Sequence, residues 1–151
     1  MKIAEALQER ADLNSKISSI RERLADNIIV QDGDKPVEDP NDLRSQLEKA
    51  IERLAYIMYK INTTNCMTVV EGRSLTEIIA EKDALKLSCL VYKASVRNAG
   101  SITRRVRASD IRLVQTIDII EWQRKIDEIS GRIRELDTIL QKTNWTVDLI
   151  E

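Results

Sequence analysis

Apolar residues recur at spacings of three and four along four long stretches of this sequence, which is the period of an amphipathic helix. The stretches cover residues 2–26, 40–64, 74–98 and 118–142. Helix-start signals precede the last three stretches: an aspartate followed by proline at 39–40, a capping box of Ser74 with Glu77, and Asp118 followed by Glu121. The pattern predicts four helices, the first of them about 37 Å long at about 1.5 Å per residue.

The second half of the chain repeats the first half, helix face by helix face. The stripe of the first stretch recurs 72 positions later, and that of the second stretch recurs 79 positions later. The repeated apolar positions include the pairs Ile3/Leu75, Ala6/Ile78, Leu13/Leu85, Leu43/Trp122, Ile57/Leu136 and Ile61/Leu140. We expect one helical domain over residues 1–151, made of a pseudo-repeat at 2–66 and a second pseudo-repeat at 74–146.

Short β-branched segments follow the first and third predicted helices, at Ile28–Gln31 and Ile111–Gln115. They predict brief strands, and a two-fold axis between them would pair them as an antiparallel ribbon. A further extended patch at Met67–Val70 precedes a turn around Gly72. The predicted fold class is all-α, with four long helices as two duplicated helix-strand-helix hairpins and a minor two-stranded antiparallel β-ribbon.

Three residues are expected to end helices in the left-handed conformation. Gly100 predicts such a stop after the third helix. Asn65 and its repeat counterpart Asn144 predict the same for the second and fourth helices, with the neighbouring threonines bonding the freed carbonyls.

The composition agrees with a helical domain. Charged residues make up 32% and apolar residues 42%, with only 3% aromatic, which is the balance of amphipathic helices. No stretch offers the roughly 18 uncharged apolar residues of a membrane span, and the N-terminus lacks a signal-peptide core. We therefore expect a cytoplasmic protein with no membrane contact, in which Cys66 and Cys89 are reduced thiols.

Charged residues also repeat along the apolar stripe. The predicted polar cluster consists of Glu5, Glu9, Arg10, Glu77, Glu81 and Lys82. The favoured interpretation is a buried or half-buried ion-pair network that fixes helix register. The functional alternative is a Mg²⁺ or Mn²⁺ site with Glu9 and Glu81 as ligands, because carboxylates from facing helices hold di-metal centres in some bundles.

The chain contains no histidine. This absence removes the commonest general base near neutral pH and the commonest transition-metal ligand, so most familiar hydrolase constellations are excluded. We predict no cofactor, and no residue can be assigned a catalytic role.

Two loops carry opposite charge. The segment from Asp26 to Asp42 is acidic with Lys35 as its one cation, whereas a run further on contains Arg104, Arg105 and Arg107. We expect the two loops to meet, either within one subunit or between subunits. Phosphate or nucleic-acid binding is the alternative role of the arginines, but the run lacks interleaved aromatic residues and the net charge is -1.

Trp145 lies just past the predicted end of the fourth helix. An aromatic residue at such a position is either a lid over the core or an anchor for a binding partner.

Four short runs are spread through the chain. They are Glu-Arg-Ala-Asp-Leu at 9–13, Val30-Gln31 with its acidic loop, Asp-Ala-Leu-Lys-Leu at 83–87, and Thr-Asn-Trp-Thr at 143–146. Together they resemble the septicolysin-like family of small bacterial proteins, over nearly the whole chain. The resemblance implies a bacterial helical protein. The pore formation that the family name suggests is not supported, because the chain lacks a signal peptide and a strand pair long enough for a pore.

The leading functional hypothesis is a non-enzymatic scaffold or interaction module that forms a homodimer or larger homo-oligomer, because heptad-like stripes on every helix bury more surface when two copies associate. The protein partner, if there is one besides a second copy, is not indicated by the sequence. The alternative is a carboxylate-based Mg- or Mn-dependent hydrolase or ligand-binding protein. Third comes phosphate or nucleic-acid binding through the arginine-rich loop.

Overall fold

The protein is mainly helical, with four long helices and one small ribbon. The structure, a computed structural model, describes residues 1–101 and 113–150. In chain order the elements are α1 (Ile3–Asn27), α2 (Pro40–Met67), β1 (Val69–Val70), β2 (Arg73–Ser74), α3 (Leu75–Gly100) and α4 (Ile119–Thr146). The predicted fold class is therefore confirmed. No helix in these two described ranges combines the length and the apolar character needed to cross a membrane.

The helix starts follow the predicted capping signals. The Asp39 side chain accepts a hydrogen bond from the backbone N–H of Asn41, and Pro40 occupies the first turn of α2. The Ser74 hydroxyl oxygen accepts from the backbone N–H of Glu77 at the start of α3. At the start of α4, Asp118 accepts from the N–H groups of the second and third helical residues. These bonds satisfy donors that a helix leaves open in its first turn.

The ribbon lies at β1 and β2 and not at the predicted strand positions. Residues 28–31 form no strand, and 113–115 form none either, while residues 111–112 lie outside the described residues. Two central turn residues with positive φ, Glu71 at 53° and Gly72 at 78°, connect β1 directly to β2. This geometry belongs to the tightest hairpins, and it pairs neighbouring segments without closing a long loop. The prediction was wrong because it paired segments that are distant in the sequence.

The predicted left-handed helix stops were also wrong. Among the described residues, positive φ occurs at Gly33, Glu71 and Gly72, so Gly100, Asn65 and Asn144 do not adopt it. The last two helices end differently: α3 includes Gly100, and α4 runs past Asn144 to Thr146. After α2 the chain turns at once into an extended backbone at Thr68, whose N–H still donates to the helix, so no left-handed residue is needed.

The chain divides into two compact units. Unit 1 contains residues 1–69 together with the C-terminal residues from Thr143, and unit 2 contains Val70–Lys142. In unit 1, α1 packs on α2 around a buried cluster of Ala6, Ile57 and Ile61. These three residues reach almost zero exposure, as expected of the predicted apolar stripes.

Unit 2 has its own core between α3 and α4. Cys89 packs with Ile126 and Ile129, and partly buried side chains of both helices surround them. Tyr92 and Trp122 meet edge to face, with ring centroids 5.1 Å apart. An aromatic pair of this geometry adds to the energy of area burial alone.

The chain ends of unit 1 are joined by a short backbone bridge. The Ile3 N–H donates to the Val147 carbonyl at 3.1 Å, and the Leu149 N–H donates to the Met1 carbonyl at 2.7 Å. The Ile150 N–H donates to the hydroxyl of Thr64, a residue with 0% exposure. The C-terminal residues are therefore held by specific bonds within the unit.

Candidate functional site: the paired glutamates and the outer face of α3

Two of the predicted cluster glutamates cap the starts of helices. The backbone N–H of Lys2 donates to the Glu5 carboxylate at 2.7 Å, and the backbone N–H of Ser74 donates to the Glu77 carboxylate at the same distance. The Ser74 bonds lower the pKa of Glu77, because they favour the charged carboxylate. Both side chains thus have capping positions, which supplies a structural reason for their presence at equivalent places.

The other two glutamates form ion pairs with arginines of the neighbouring helix. In unit 1, Arg53 donates two hydrogen bonds to the Glu9 carboxylate, with Nε–Oε1 at 2.6 Å and Nη2–Oε2 at 3.0 Å. In unit 2, Arg132 donates to the Glu81 carboxylate in the same way, with Nε–Oε1 at 2.9 Å. The two glutamates are 72 positions apart and the two arginines 79, which are the offsets of the apolar stripes. The same two-pronged pair therefore recurs in each unit.

Glu81 binds a second arginine. The Arg73 guanidinium lies 2.7 Å from its carboxylate, in addition to that of Arg132. The hydrogen bond from Arg132, followed by that from Arg73, holds the pKa of Glu81 below its ordinary value. A carboxylate held between two guanidinium groups is poorly available to a metal ion, because the cation would have to displace charge-assisted bonds.

Lys82 has an acidic partner on α4, whereas α2 has no acidic residue at the equivalent position for Arg10. Its ammonium lies 2.8 Å from Asp137, and its side chain is 17% exposed. The hydrogen bond from Lys82 lowers the pKa of Asp137. In the first repeat the position equivalent to Asp137 is Met58, so that pair was not duplicated. The cations on the stripe therefore have different surroundings in the two units.

The carboxylates of the predicted cluster do not gather into a metal site. Across residues 1–101 and 113–150, no group of three or more His, Cys, Asp or Glu side chains is placed to hold a metal ion. Each of the four glutamates has a hydrogen-bonding partner in its own unit. Two of these glutamates cap helix starts, and the other two fix the register of neighbouring helices through ion pairs.

A basic groove lies between α3 and α4 of unit 2. It has a volume of about 400 Å³ and is lined by Lys86, Lys93 and Arg134 around the Cys89 and Ser130 side chains. The thiol sulfur and the hydroxyl oxygen are 3.7 Å apart. The sequence reasoning missed this groove, because its cations come from two helices that had to be placed side by side first.

A smaller pocket in unit 1 centres on Tyr56. It measures about 180 Å³, and Arg53 and Lys60 stand over the aromatic ring at 5.2 and 5.6 Å from its centroid. In the second repeat Glu135 and Ile139 replace Tyr56 and Lys60. The pocket is therefore a feature of one repeat, although the arginine that lines it belongs to the duplicated ion pair.

The outer face of α3 is apolar and largely exposed, with one half-buried alanine near its end. We give this name to the stripe of Ala80, Ala84, Leu87, Val91 and Ala94 with the flanking Leu90. Leu87 and Leu90 are each 65% exposed, and Val91 is 54% exposed. At about 100° per residue this stripe lies opposite the buried side of the helix, which includes Cys89. α3 is thus apolar on two opposite sides.

Other predicted contact residues are less informative. Trp145 is 68% exposed at the end of α4, so it is not a lid over the core. Arg104, Arg105 and Arg107 lie outside the described residues, and the predicted meeting of the acidic and arginine-rich loops stays a prediction. Within the acidic segment, Glu38 pairs with Arg23 of α1, and this hydrogen bond lowers the pKa of Glu38.

Comparisons with known proteins give a family and a fold. Residues 10–149 match the family described as "Family of unknown function (DUF6847)". A solved structure, "Crystal structure of a functionally unknown conserved protein from Corynebacterium diphtheriae", is similar to this chain with a TM-score of 0.94, 32% sequence identity and 99% of each chain covered. No curated protein matches. Since the family match spans most of its length, the chain belongs to this family of unknown function, DUF6847.

Proposed function

We propose that this protein is a non-enzymatic helical module that associates with itself through an exposed helix face. The single observation behind the proposal is the outer face of α3, where Leu87, Leu90 and Val91 are each more than half exposed. A helix that is apolar on two opposite sides buries only one of them against its neighbour in the unit, and contiguous apolar patches on soluble domains mark interaction sites. Self-association covers that surface.

The ion pairs support a scaffolding role over a metal-dependent one. Glu9 and Glu81, the two candidate metal ligands, are held by Arg53 and Arg132 in the same way in both units. Duplicated pairs of this kind fix how one helix lies along another, and they leave no carboxylate free to activate water at these positions. Register and rigidity are the properties that a scaffold requires.

The state of the cysteines supports a location in the cytoplasm. Cys66 is exposed and Cys89 is buried, and neither forms a disulfide. Reduced thiols persist in reducing compartments, whereas disulfides form and persist in oxidising ones. We include the cytoplasm in the proposal on this ground.

Size measurements on a surface variant test the proposal. Leu87→Glu places a charge on the outer face of α3, and Ile120→Glu is the matched control on α4, where the side chain is 73% exposed. We expect light-scattering chromatography to give an oligomer for the wild type and the control, and a monomer for Leu87→Glu. Elemental analysis of the same wild-type peak tests the hydrolase alternative, and stoichiometric Mg or Mn would overturn the non-enzymatic assignment.

A further inference from the structure

Apolar residues on the outer face of α3 have the spacing of a coiled-coil seam. Ala80, Ala84, Leu87, Val91 and Ala94 follow one another at intervals of four, three, four and three. This is the heptad alternation of a and d positions, and at about 1.5 Å per residue it extends over about 21 Å. The three alanines would allow two helix axes to approach closely.

We infer that the outer face of α3 packs against the same face of a second copy of this chain, with the two helices antiparallel. The inference rests on the proposed self-association through this face and adds the direction and the register of the two helices. The occupant is a second copy of the chain, because the charged residues beside the stripe are complementary to the same residues of an identical helix that runs in the opposite direction. A face built for a different partner has no need of self-complementary charges.

Three residues at heptad spacing run along one edge of the stripe. They are Asp83, Leu90 and Arg97, and all three side chains are exposed. In an antiparallel pair this edge faces the same edge of the partner. A two-fold axis at Leu90 therefore places Asp83 beside Arg97 of the partner subunit, and Arg97 beside Asp83 of the partner subunit. The two copies of Leu90 then meet at the axis. Each acidic or basic residue on this edge therefore faces a residue of opposite charge, and the apolar residue faces an apolar one.

The same register fills the seam. Leu87 falls opposite Val91 of the partner subunit, and Ala84 falls opposite Ala94 of the partner subunit, so large residues pair near the axis and small ones towards the ends. A parallel pair would instead bring the edge of Asp83 and Leu90 against the opposite edge, where Ser88 and Ser95 stand. That arrangement forms neither ion pair, and the antiparallel direction is the one that uses all three edge residues.

The charge along the whole helix agrees with this direction. The first turns of α3 contain Glu77, Glu81 and Asp83 with Lys82, whereas the later turns contain only the cations Lys86, Lys93 and Arg97. Reversing one copy brings an acidic half beside a basic half, and a parallel copy would set like charges side by side.

Charge exchange in the full-length protein tests the inference. In a two-fold dimer Asp83→Arg removes two ion pairs and creates two like-charge contacts, and Arg97→Asp does the same. We expect each single variant to raise the dimer dissociation constant about tenfold or more. The double variant Asp83→Arg with Arg97→Asp rebuilds both pairs in reversed order, and we expect it to return to within about threefold of the wild type.

Matched charge changes elsewhere serve as controls. Glu52→Arg and Lys49→Asp alter exposed positions of α2 by the same charge, and they should leave dissociation unchanged. Far-UV circular dichroism and thermal midpoints of every variant check that α3 still folds. Sedimentation velocity over a concentration series gives the dissociation constants.

The outcomes separate the two proposals. A wild-type chain that stays monomeric at the highest concentrations contradicts self-association itself. An oligomer that is unaffected by Asp83→Arg, Arg97→Asp and Leu87→Glu leaves self-association standing and overturns the α3 interface. Loss of dimer in both single variants without recovery in the double variant overturns the antiparallel register.

Discussion

Replacing Ile61 by alanine should destabilise the protein by about 3–4 kcal/mol. Ile61 is 1% exposed and packs in the unit 1 cluster with Ala6 and Ile57. The change deletes three carbon atoms, and at about 0.8 kcal/mol for each buried group the lost transfer energy is about 2.4 kcal/mol. The facing Ala6 has no side chain that could move into the space, so a cavity term adds to this loss, within the usual range of about 2–5 kcal/mol for such changes.

Urea unfolding followed by circular dichroism measures this effect. With a slope of about 2 kcal/mol per molar, the midpoint should fall by about 1.5–2 M. Protein concentration must be equal in every sample, because association contributes to apparent stability. Val37→Ala is the control, since that side chain is 97% exposed and its loss should leave the midpoint unchanged. A loss below about 1.5 kcal/mol at unchanged slope would refute the view that this cluster is tightly packed.

Polar contacts should contribute to stability at three further places. Folding lowers the pKa of Glu81, so the stabilisation from its ionised carboxylate is present above the unfolded pKa of about 4.3 and is lost as pH falls through the lower folded value. The thermal midpoint of Glu81→Gln should therefore lie below that of the wild type at pH 7 and approach it at pH 3. An equal gap between the two midpoints at both pH values would disprove this. A double-mutant cycle of Lys82→Met and Asp137→Leu should give a coupling of about 0.5–1 kcal/mol, because the aspartate is nearly half exposed, and a coupling of zero would show that the pair is not formed in solution. Thr64→Val removes the acceptor of the Ile150 N–H and should cost about 1–3 kcal/mol with faster hydrogen exchange at that amide, whereas Thr64→Ser should retain slow exchange; equal exchange rates in the two variants would contradict the bond.

Much of the helical framework could be predicted from local sequence. Asp39, Ser74 and Asp118 cap the starts of helices as expected, because capping depends on residues that lie within one turn of each other. The ends were harder to predict. Gly100 and Asn65 can adopt the left-handed conformation, but whether they do so depends on where the following chain goes, and local sequence does not contain that information.

The ribbon was misplaced for a related reason. The β-branched residues at 28–31 have the composition of a strand, but a strand requires a partner, and composition does not supply one. Val69 and Val70 find theirs in the next residues of the chain through the turn at Glu71-Gly72. A single Gly at the second turn position is the local signal for the hairpin that closes there.

The partners of the charged cluster could have been found from the repeat itself. Arg53 and Arg132 are separated by the same offset as the apolar residues around them, just as Glu9 and Glu81 are on the preceding helices. Both members of the pair were therefore duplicated together. The pairing of Lys82 with Asp137 gave no such signal, because Met58 replaces the aspartate in the first repeat, and only the placed helices bring the two groups together.

Apolar periodicity alone does not decide which side of α3 is buried. The helix has two stripes at the same spacing, and either could have been assigned to the core from sequence alone. The structure buries the stripe of Leu75, Ile78 and Cys89 and exposes that of Leu87 and Val91. The resemblance to the septicolysin-like family stays a prediction, since the family match and the similar structure have other descriptions.

The mass of the untagged full-length chain in solution tests the central claim most directly. Sedimentation equilibrium over a wide range of concentrations should give a mass that rises with concentration from that of one chain, 17.3 kDa, to twice that value, because the outer face of α3 becomes covered by a second copy. A mass that stays at that of a single chain across the whole range would contradict the proposed self-association.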